Sequence, residues 1–397
     1  MKYYKILSSD MTHHGFVYKE GLNIDTEPFD ETPDCGGGLF FSDAQNILAF
    51  VNYGNLIAEV EVPDGTKIVQ VGDKYKAHAI VLKNIRPIWT VDTFKYFIEE
   101  GINIHADDDW ALQSASENGH IKVVRYLIDK GADIHAKNDY AFRYAAENGH
   151  IEVVRYLIEN GANIYANDDF AFCYAAENGH LEVVQYLIDK GADIHSHNDY
   201  ALKYTAFNGN LELVKFLVDN NADIRADDDY ALRYAAENGY LEVVRYLIDK
   251  GADIHAGNDY ALQSASENGH IEVVRYLIDK GADIHADDYA LRYATLNGHL
   301  EVVKYLIDNG ADIHADNDWT LKCAARNGYL EVVRYLIDNG ADIHADDDDV
   351  LRYAAQNGHL EVVRYLIDNG ANIHADDDWA FKYGTAEVIT YLNSLNK

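Results

Sequence analysis

The chain has 397 residues, with 33 Lys/Arg against 67 Asp/Glu and a formal charge of −34. Such a surface repels nucleic-acid phosphates and anionic membranes, which are bound by clustered Lys/Arg, and draws basic partners only weakly once salt screens it. Hydrophobic residues make up 48%, enough for packed cores, and no apolar run reaches the ~20 residues of a membrane span. The start lacks the apolar stretch and small-residue cleavage site of a signal peptide. Cys35, Cys173 and Cys323 are too sparse for a disulfide framework. The expectation is a soluble, cytoplasmic monomer with reduced thiols, binding neither nucleic acid nor membrane.

Residues 1–88 hold 8 Lys/Arg and 12 Asp/Glu, a charge of −4, and all four prolines of the chain, Pro28, Pro33, Pro63 and Pro87. The other −30 lies beyond them. Residues 57–62 (IAEVEV) and 66–71 (TKIVQV) have strand-like composition and partial alternation. Residues 43–53 read as a short helix after the Gly-rich string 36–42. The segment is expected to be a small α+β domain. His14-Gly15, with Gly38-Leu39-Phe40-Phe41-Ser42-Asp43, resembles the His-Gly and Gly-x-Tyr-Phe-Ala-Asp strings of ADP-ribosyltransferase-type NAD sites. That resemblance implies an NAD-dependent transferase with Glu59 or Glu61 as the catalytic acid. The plainer reading is a Gly-rich turn feeding a buried Leu-Phe-Phe strand, with no enzyme and no cofactor.

From residue 89 the chain repeats itself. Units start at 101, 131, 161, 191, 221, 251, 281, 310 and 340 with a period of 30, except for 29 residues at 281–309. Residues 91–100 match a second half-unit, and a shortened unit starts at 370. In the unit 131–160, Asp139 is placed to N-cap a helix A over 140–147, which Asn148-Gly149 ends. Helix B follows over 151–160, with Ile151, Val154, Leu157 and Ile158 at helical spacing. Glu152 suits the positive end of its dipole and stands three residues from Arg155, a pairing distance on a helix. Ala145 and Ala146 let the two helices approach closely. One such pair cannot bury both of its sides, whereas stacked copies can.

The strings A-A-x-x-G-H between the helices, L-E-V-V-x-x-L-I in helix B and G-A-D-I-H after it resemble the ankyrin repeat. The near-identical units are most similar to the ankyrin families that giant DNA viruses encode in many copies. The resemblance implies a mainly α solenoid over 89–397, with nine full units and partial capping units at both ends. It also implies a protein-binding role, in the host-cell cytoplasm if the chain is viral. The family unit is about 33 residues, and its Thr-Pro-Leu-His helix start is replaced here by Tyr-Ala-Phe-Arg at 140–143. Short fingers without β-hairpins are therefore expected.

Several side-chain series invite chemistry. Histidines recur at two places per unit, for example His105, His135 and His255, then His120, His150 and His180. Substitution by Tyr165, Arg225, Asn210, Tyr240 and Tyr329 argues for turn hydrogen bonds rather than metal ligation. The Asp strings at 107–109 and 346–349 lack the spacing of a calcium loop; one Asp caps helix A and the rest are solvated. Aromatics open nearly every helix A: Trp110, Tyr140, Phe170, Tyr200, Tyr230, Tyr260, Tyr289, Trp319 and Trp379. They read as loop covers or as an aromatic rail for a partner. The place of Glu147, on the concave face of ankyrin folds, changes identity at Phe207, Leu296, Arg326 and Gln356. These four are the expected partner-binding residues. The function expected is a scaffold that holds a protein along the solenoid groove, the alternatives being the NAD-dependent enzyme and a structural or decoy protein.

Overall fold

The computed structural model describes residues 2–13, 15–34 and 36–395. Its contacts divide the chain into two compact units, Met1–Ser196 and His197–Lys397.

The first unit opens with nine strands: β1 (Tyr3–Leu7), β2 (Thr12–His13), β3 (Phe16–Val17), β4 (Gly21–Ile24), β5 (Leu39–Asp43), β6 (Leu56–Glu61), β7 (Ile68–Val71), β8 (Lys74–Ala77) and β9 (Ala79–Pro87). Seven of them form one sheet in the order β4-β9-β6-β1-β5-β8-β7, and β2 pairs with β3. Every pairing is antiparallel. Strand β1 lies mid-sheet, with Tyr4 opposite Glu59 of β6 and Ser42 of β5. Leu7, Tyr18, Leu39, Phe41, Ala58, Val60, Ala77, Ile80 and Leu82 form the core. The short helix expected over 43–53 is a 3-10 helix, Ile47–Tyr53, which buries Ile47, Leu48 and Val51. It is the only helical segment before Val91 among the described residues.

The sheet runs directly into helical structure. Thr90 caps the helix Val91–Glu99 by accepting from the Thr93 N–H. The Tyr96 hydroxyl donates to Glu59 at 2.6 Å, the Arg86 guanidinium lies 3.9 Å from the Tyr96 ring centre, and Trp89 stacks on His120 at 5.1 Å. The Ser114 hydroxyl donates to Asn52 at 3.0 Å, and the Asn103 N–H to the Ala44 carbonyl at 3.0 Å. The β-rich segment thus covers the apolar side of the first helices, which would otherwise face water.

Beyond Pro87 the described residues contain helices and no strand, as the shortened fingers led us to expect. In the unit 131–160 the helices are Ala136–Glu147 and Ile151–Glu159. Val153, Val154 and Leu157 of helix B are buried, as are Ala145 and Ala146 of helix A. The turn between the helices needs glycine: Gly149 has φ +76°, and a Cβ there would lie 2.5 Å from the His180 ring of the following unit. Within each compact unit, helix A packs on the next helix A and helix B on the next helix B.

The start of helix A departs from expectation. Its opening turn is left-handed over three consecutive residues, for example Asp227 (φ 53°, ψ 48°), Asp228 (54°, 55°) and Asp229 (57°, 40°). Left-handed backbone is costly for most side chains, and Asn, Asp and Gly bear it best. The composition of these places follows: Asp-Asp-Asp, Lys-Asn-Asp, Asn-Asp-Asp, His-Asn-Asp and Gly-Asn-Asp. In the 29-residue unit the turn has two left-handed residues, Asp287 and Asp288. The missing residue has been taken from this turn, and the helices on both sides keep their lengths.

The expected capping by Asp139 is corrected. Its carboxylate accepts from the Asn163 N–H of the next unit at 2.9 Å and lies 3.1 Å from His135 Nδ1. The same tie recurs from Asp109 to Asp133, Asp199 to Asp223, Asp229 to Asp253, Asp259 to Asp283, Asp318 to Asp342 and Asp348 to Asn372, at 2.7–3.0 Å. The left-handed turn aims the third residue inward, so its side chain binds the next unit and leaves its own helix uncapped. A further correction concerns Arg155, which pairs with Glu182 of the next unit at 3.6 Å. Arg245, Lys304, Arg334 and Arg364 do pair with the Glu three residues before them.

Candidate functional site

The last residue of helix A is where the sequence singles out four positions. In the second compact unit this row reads Phe207, Glu237, Glu267, Leu296, Arg326 and Gln356. Phe207, Leu296 and Gln356 end their helices, and Arg326 is the penultimate residue of Ala315–Asn327. All four are exposed, Phe207 at 36% and Leu296 at 40%. The Phe207 ring meets Tyr234 edge-on at 5.1 Å and lies 6.4 Å from the Tyr204 ring. In the first unit the row is Glu117, Glu147 and Glu177. Partial burial pushes the Glu147 carboxyl up, and its like-charged neighbours Glu117 and Glu177 push it further. A cation docked on this row would relieve that repulsion.

The aromatic series runs beside the row, and half of it escaped the sequence reading. A second aromatic follows the first by four residues in most units. Tyr140 stacks on Tyr144 at 3.9 Å, Phe170 on Tyr174 at 4.1 Å and Tyr200 on Tyr204 at 4.1 Å. Trp110 to Tyr140 (5.8 Å), Tyr144 to Phe170 (5.5 Å) and Tyr204 to Tyr234 (6.0 Å) link neighbouring units. Arginines lie over the rings, Arg233 between Tyr230 and Tyr260 and Arg292 over Trp319. The i,i+4 spacing was in the sequence and is the signal that could have found these rings. The ladder supports the packing role and also leaves partly exposed tyrosines, Tyr260 among them.

The histidines act in turns. His150, His270, His299 and His359 each place Nε2 2.9 Å from a carbonyl of the preceding unit. His105, His255, His314, His344 and His374 face the third Asp of the left-handed turn through Nδ1. Among the described residues no group of three His, Cys, Asp or Glu could hold a metal ion. The thiols of Cys173 and Cys323 are buried, which pushes them up to about 12 and about 11 and keeps them protonated at neutral pH. Cys35 lies outside the described residues.

The residues of the NAD resemblance are only partly brought together. Gly38–Ser42 line a cavity of about 530 Å³ with Lys5, Tyr18 and Phe50. His14 lies outside the described residues. Glu59 and Glu61 border a different depression, with Lys2, Tyr3 and Tyr4. Burial pushes the Glu59 carboxyl up, but Tyr96, Asn84 and Arg86 bring it below its usual value, and Glu61 pairs with Lys83. Among the described residues neither acid lines the cavity that holds Gly38–Ser42.

The helix pairs and short connecting turns agree with the comparison of the chain with known families. Models of ankyrin repeats match residues 135–198, 172–258, 255–317 and 291–377, and a single-repeat model matches 107–139. The chain belongs to the ankyrin-repeat family. Similar proteins come from Acanthamoeba polyphaga mimivirus. The one named ankyrin repeat protein R868 is 33% identical over 131 residues, covering 31% of this chain and 64% of that protein. The one named ankyrin repeat protein R229 is 33% identical over 133 residues, covering 30% of this chain and 43% of that protein. The uncharacterized protein R869 is 32% identical over 129 residues, covering 31% of this chain and 94% of that protein. The chain spans less than two thirds of the length of the first two relatives. No helix among the described residues of this ankyrin-repeat chain is long and apolar enough to cross a membrane.

Proposed function

We propose that the array holds a protein partner along the exposed ends of its A helices. Phe207 and Leu296 serve as apolar anchors, with Arg326 and Gln356 beside them. The observation that carries this reading is the exposure of Phe207 and Leu296 at 36% and 40%, at a place where neighbouring units hold Glu237 and Glu267. A charged row interrupted by apolar side chains selects one location along an otherwise uniform surface. The acidic row and the charge of −34 favour a partner segment carrying both basic and apolar side chains. Ankyrin repeats are in general protein-interaction modules, and the ladder of tyrosines next to the row suits such an interface.

Burying a Phe or Leu contributes roughly 1.5–3 kcal/mol, a tenfold to hundredfold change in affinity. The test is affinity capture with the full chain from an Acanthamoeba polyphaga lysate, comparing the natural sequence with the Phe207→Glu/Leu296→Glu double variant. A protein retained by the first and lost from the second supports the reading. Equal retention by both moves the site elsewhere. The reading includes a monomer acting in the cytoplasm, with residues 1–88 as a separate domain; light scattering on the full chain tests the first of these.

A further inference from the structure

The sheet of the first unit contains two lysines that are almost wholly buried, Lys76 at 0% and Lys5 at 3% exposure. Lys76 has a counter-ion: its ammonium lies 3.6 Å from the Asp34 carboxylate and donates to the Gly36 carbonyl at 2.7 Å. Lys5 has none. Its Nζ donates to the Phe40 carbonyl at 2.6 Å and lies 4.4 Å from the centre of the Tyr18 ring. An ammonium carries three N–H donors, so the third is left for another acceptor. Burial alone, with no neighbouring carboxylate contributing, lowers the Lys5 amine from 10.5 to about 7.

Lys5 lines the cavity of about 530 Å³, within the size range of small-molecule sites. Phe16, Tyr18, Phe40, Phe50 and Tyr53 also line it and offer ring faces to a flat ligand. Of the carboxylates on its lining, Asp25 accepts from the Gly38 N–H at 2.7 Å, and Glu27 is exposed. A buried cation without a counter-ion is costly, and a cavity at its side lets a ligand supply the missing charge.

We propose that this cavity binds a small aromatic carboxylate, with the Lys5 ammonium as its counter-ion. The rings take the apolar body, and the third Lys5 N–H takes a carboxylate oxygen. The cavity lies in the β-rich segment, so the site is separate from partner binding by the helices and stands if that reading fails.

Calorimetric titration of the full chain with 2-naphthoate tests this, with the neutral 2-naphthamide as the shape control and Lys5→Met as the variant. The expected result is one naphthoate bound per chain and binding at least tenfold weaker in K5M, with naphthamide binding equally to both proteins. Absence of naphthoate binding at millimolar concentration, or equal binding by K5M, overturns the proposal. Should K5M fail to fold, the natural chain alone decides. At pH 8.5 the free Lys5 amine is mostly neutral, and an anion favours the ammonium. The other titratable groups on the lining are His13, Tyr18, Asp25, Glu27, Tyr53 and Lys74. Titrations in two buffers of different ionisation enthalpy should show uptake of about one proton per naphthoate at pH 8.5 and little at pH 6. Binding without proton uptake at pH 8.5 rules Lys5 out as the counter-ion.

Discussion

Asp229 illustrates how one side chain serves two repeats. Its carboxylate is buried and accepts from the Asp253 N–H at 2.7 Å and from Arg225 Nε at 2.8 Å. Burial pushes this carboxyl up despite both donors. Asp229→Ala leaves the Asp253 N–H without a partner, at a cost of about 1–3 kcal/mol. The Asp253 amide should then lose hydrogen-exchange protection, while Asp229→Asn, which keeps an acceptor, should lose less. A second residue-scale prediction follows from Lys5. Its folded amine titrates near 7 and the unfolded one near 10.5, so between those values the unfolded chain binds more protons. Stability from this group therefore rises with pH from about 7 to 10, by up to several kcal/mol. Unfolding compared at pH 7 and pH 9.5 should show the natural chain gaining stability relative to Lys5→Met over that interval, and an unchanged difference would refute it.

The left-handed turn at the head of helix A is the element that distinguishes these thirty-residue units. Three consecutive left-handed residues cost about 1–2 kcal/mol each for ordinary side chains. Asp228 is exposed and has φ 54°, so Asp228→Val should destabilise by about that amount while Asp228→Gly should not, as thermal melts of the two variants would show. Helices A and B were legible because their apolar positions recur at helical spacing and Asn-Gly pairs end helix A. The turn was not, although Asp, Asn and Gly fill all but two of its places, Lys137 and His197. Their acidity reads as solvation, whereas the conformation selects them and the third residue is buried in most units, Asp229 and Asp318 among them. In the β-rich segment, β6 and β7 showed partial alternation. Strand β1 (YYKIL) is buried along most of its length and carries Lys5 among apolar neighbours, so it shows no period of two. The four row residues are legible as breaks in a repeated pattern; their exposure is not, since Glu117, Glu147, Glu177 and Glu237 at the same place are half-buried. The Lys5 cavity joins residues far apart in sequence, which no local pattern reports.

At the scale of the molecule, a repeat array needs covered ends. The β-rich segment covers one. At the other, the helices Ala375–Tyr383 and Ala386–Leu395 bury Ala380, Val388 and Leu392, while Lys382, Thr390 and Asn393 are exposed. Removing residues 379–397 would uncover the helices that Ala375–Tyr383 and Ala386–Leu395 pack against, and the truncated chain should melt at lower temperature or aggregate; a monomeric product with unchanged melting would refute the capping role.

A partner seated on the ends of the A helices would lie within reach of Phe207 and Leu296. The most direct measurement places a photo-crosslinking amino acid at Phe207, at Leu296 and, as a control on the outer side of helix B, at Glu242, each in the full chain. Positions 207 and 296 are expected to capture the same protein from the lysate, and 242 is not. Capture from position 242 alone, or different proteins from 207 and 296, would contradict it.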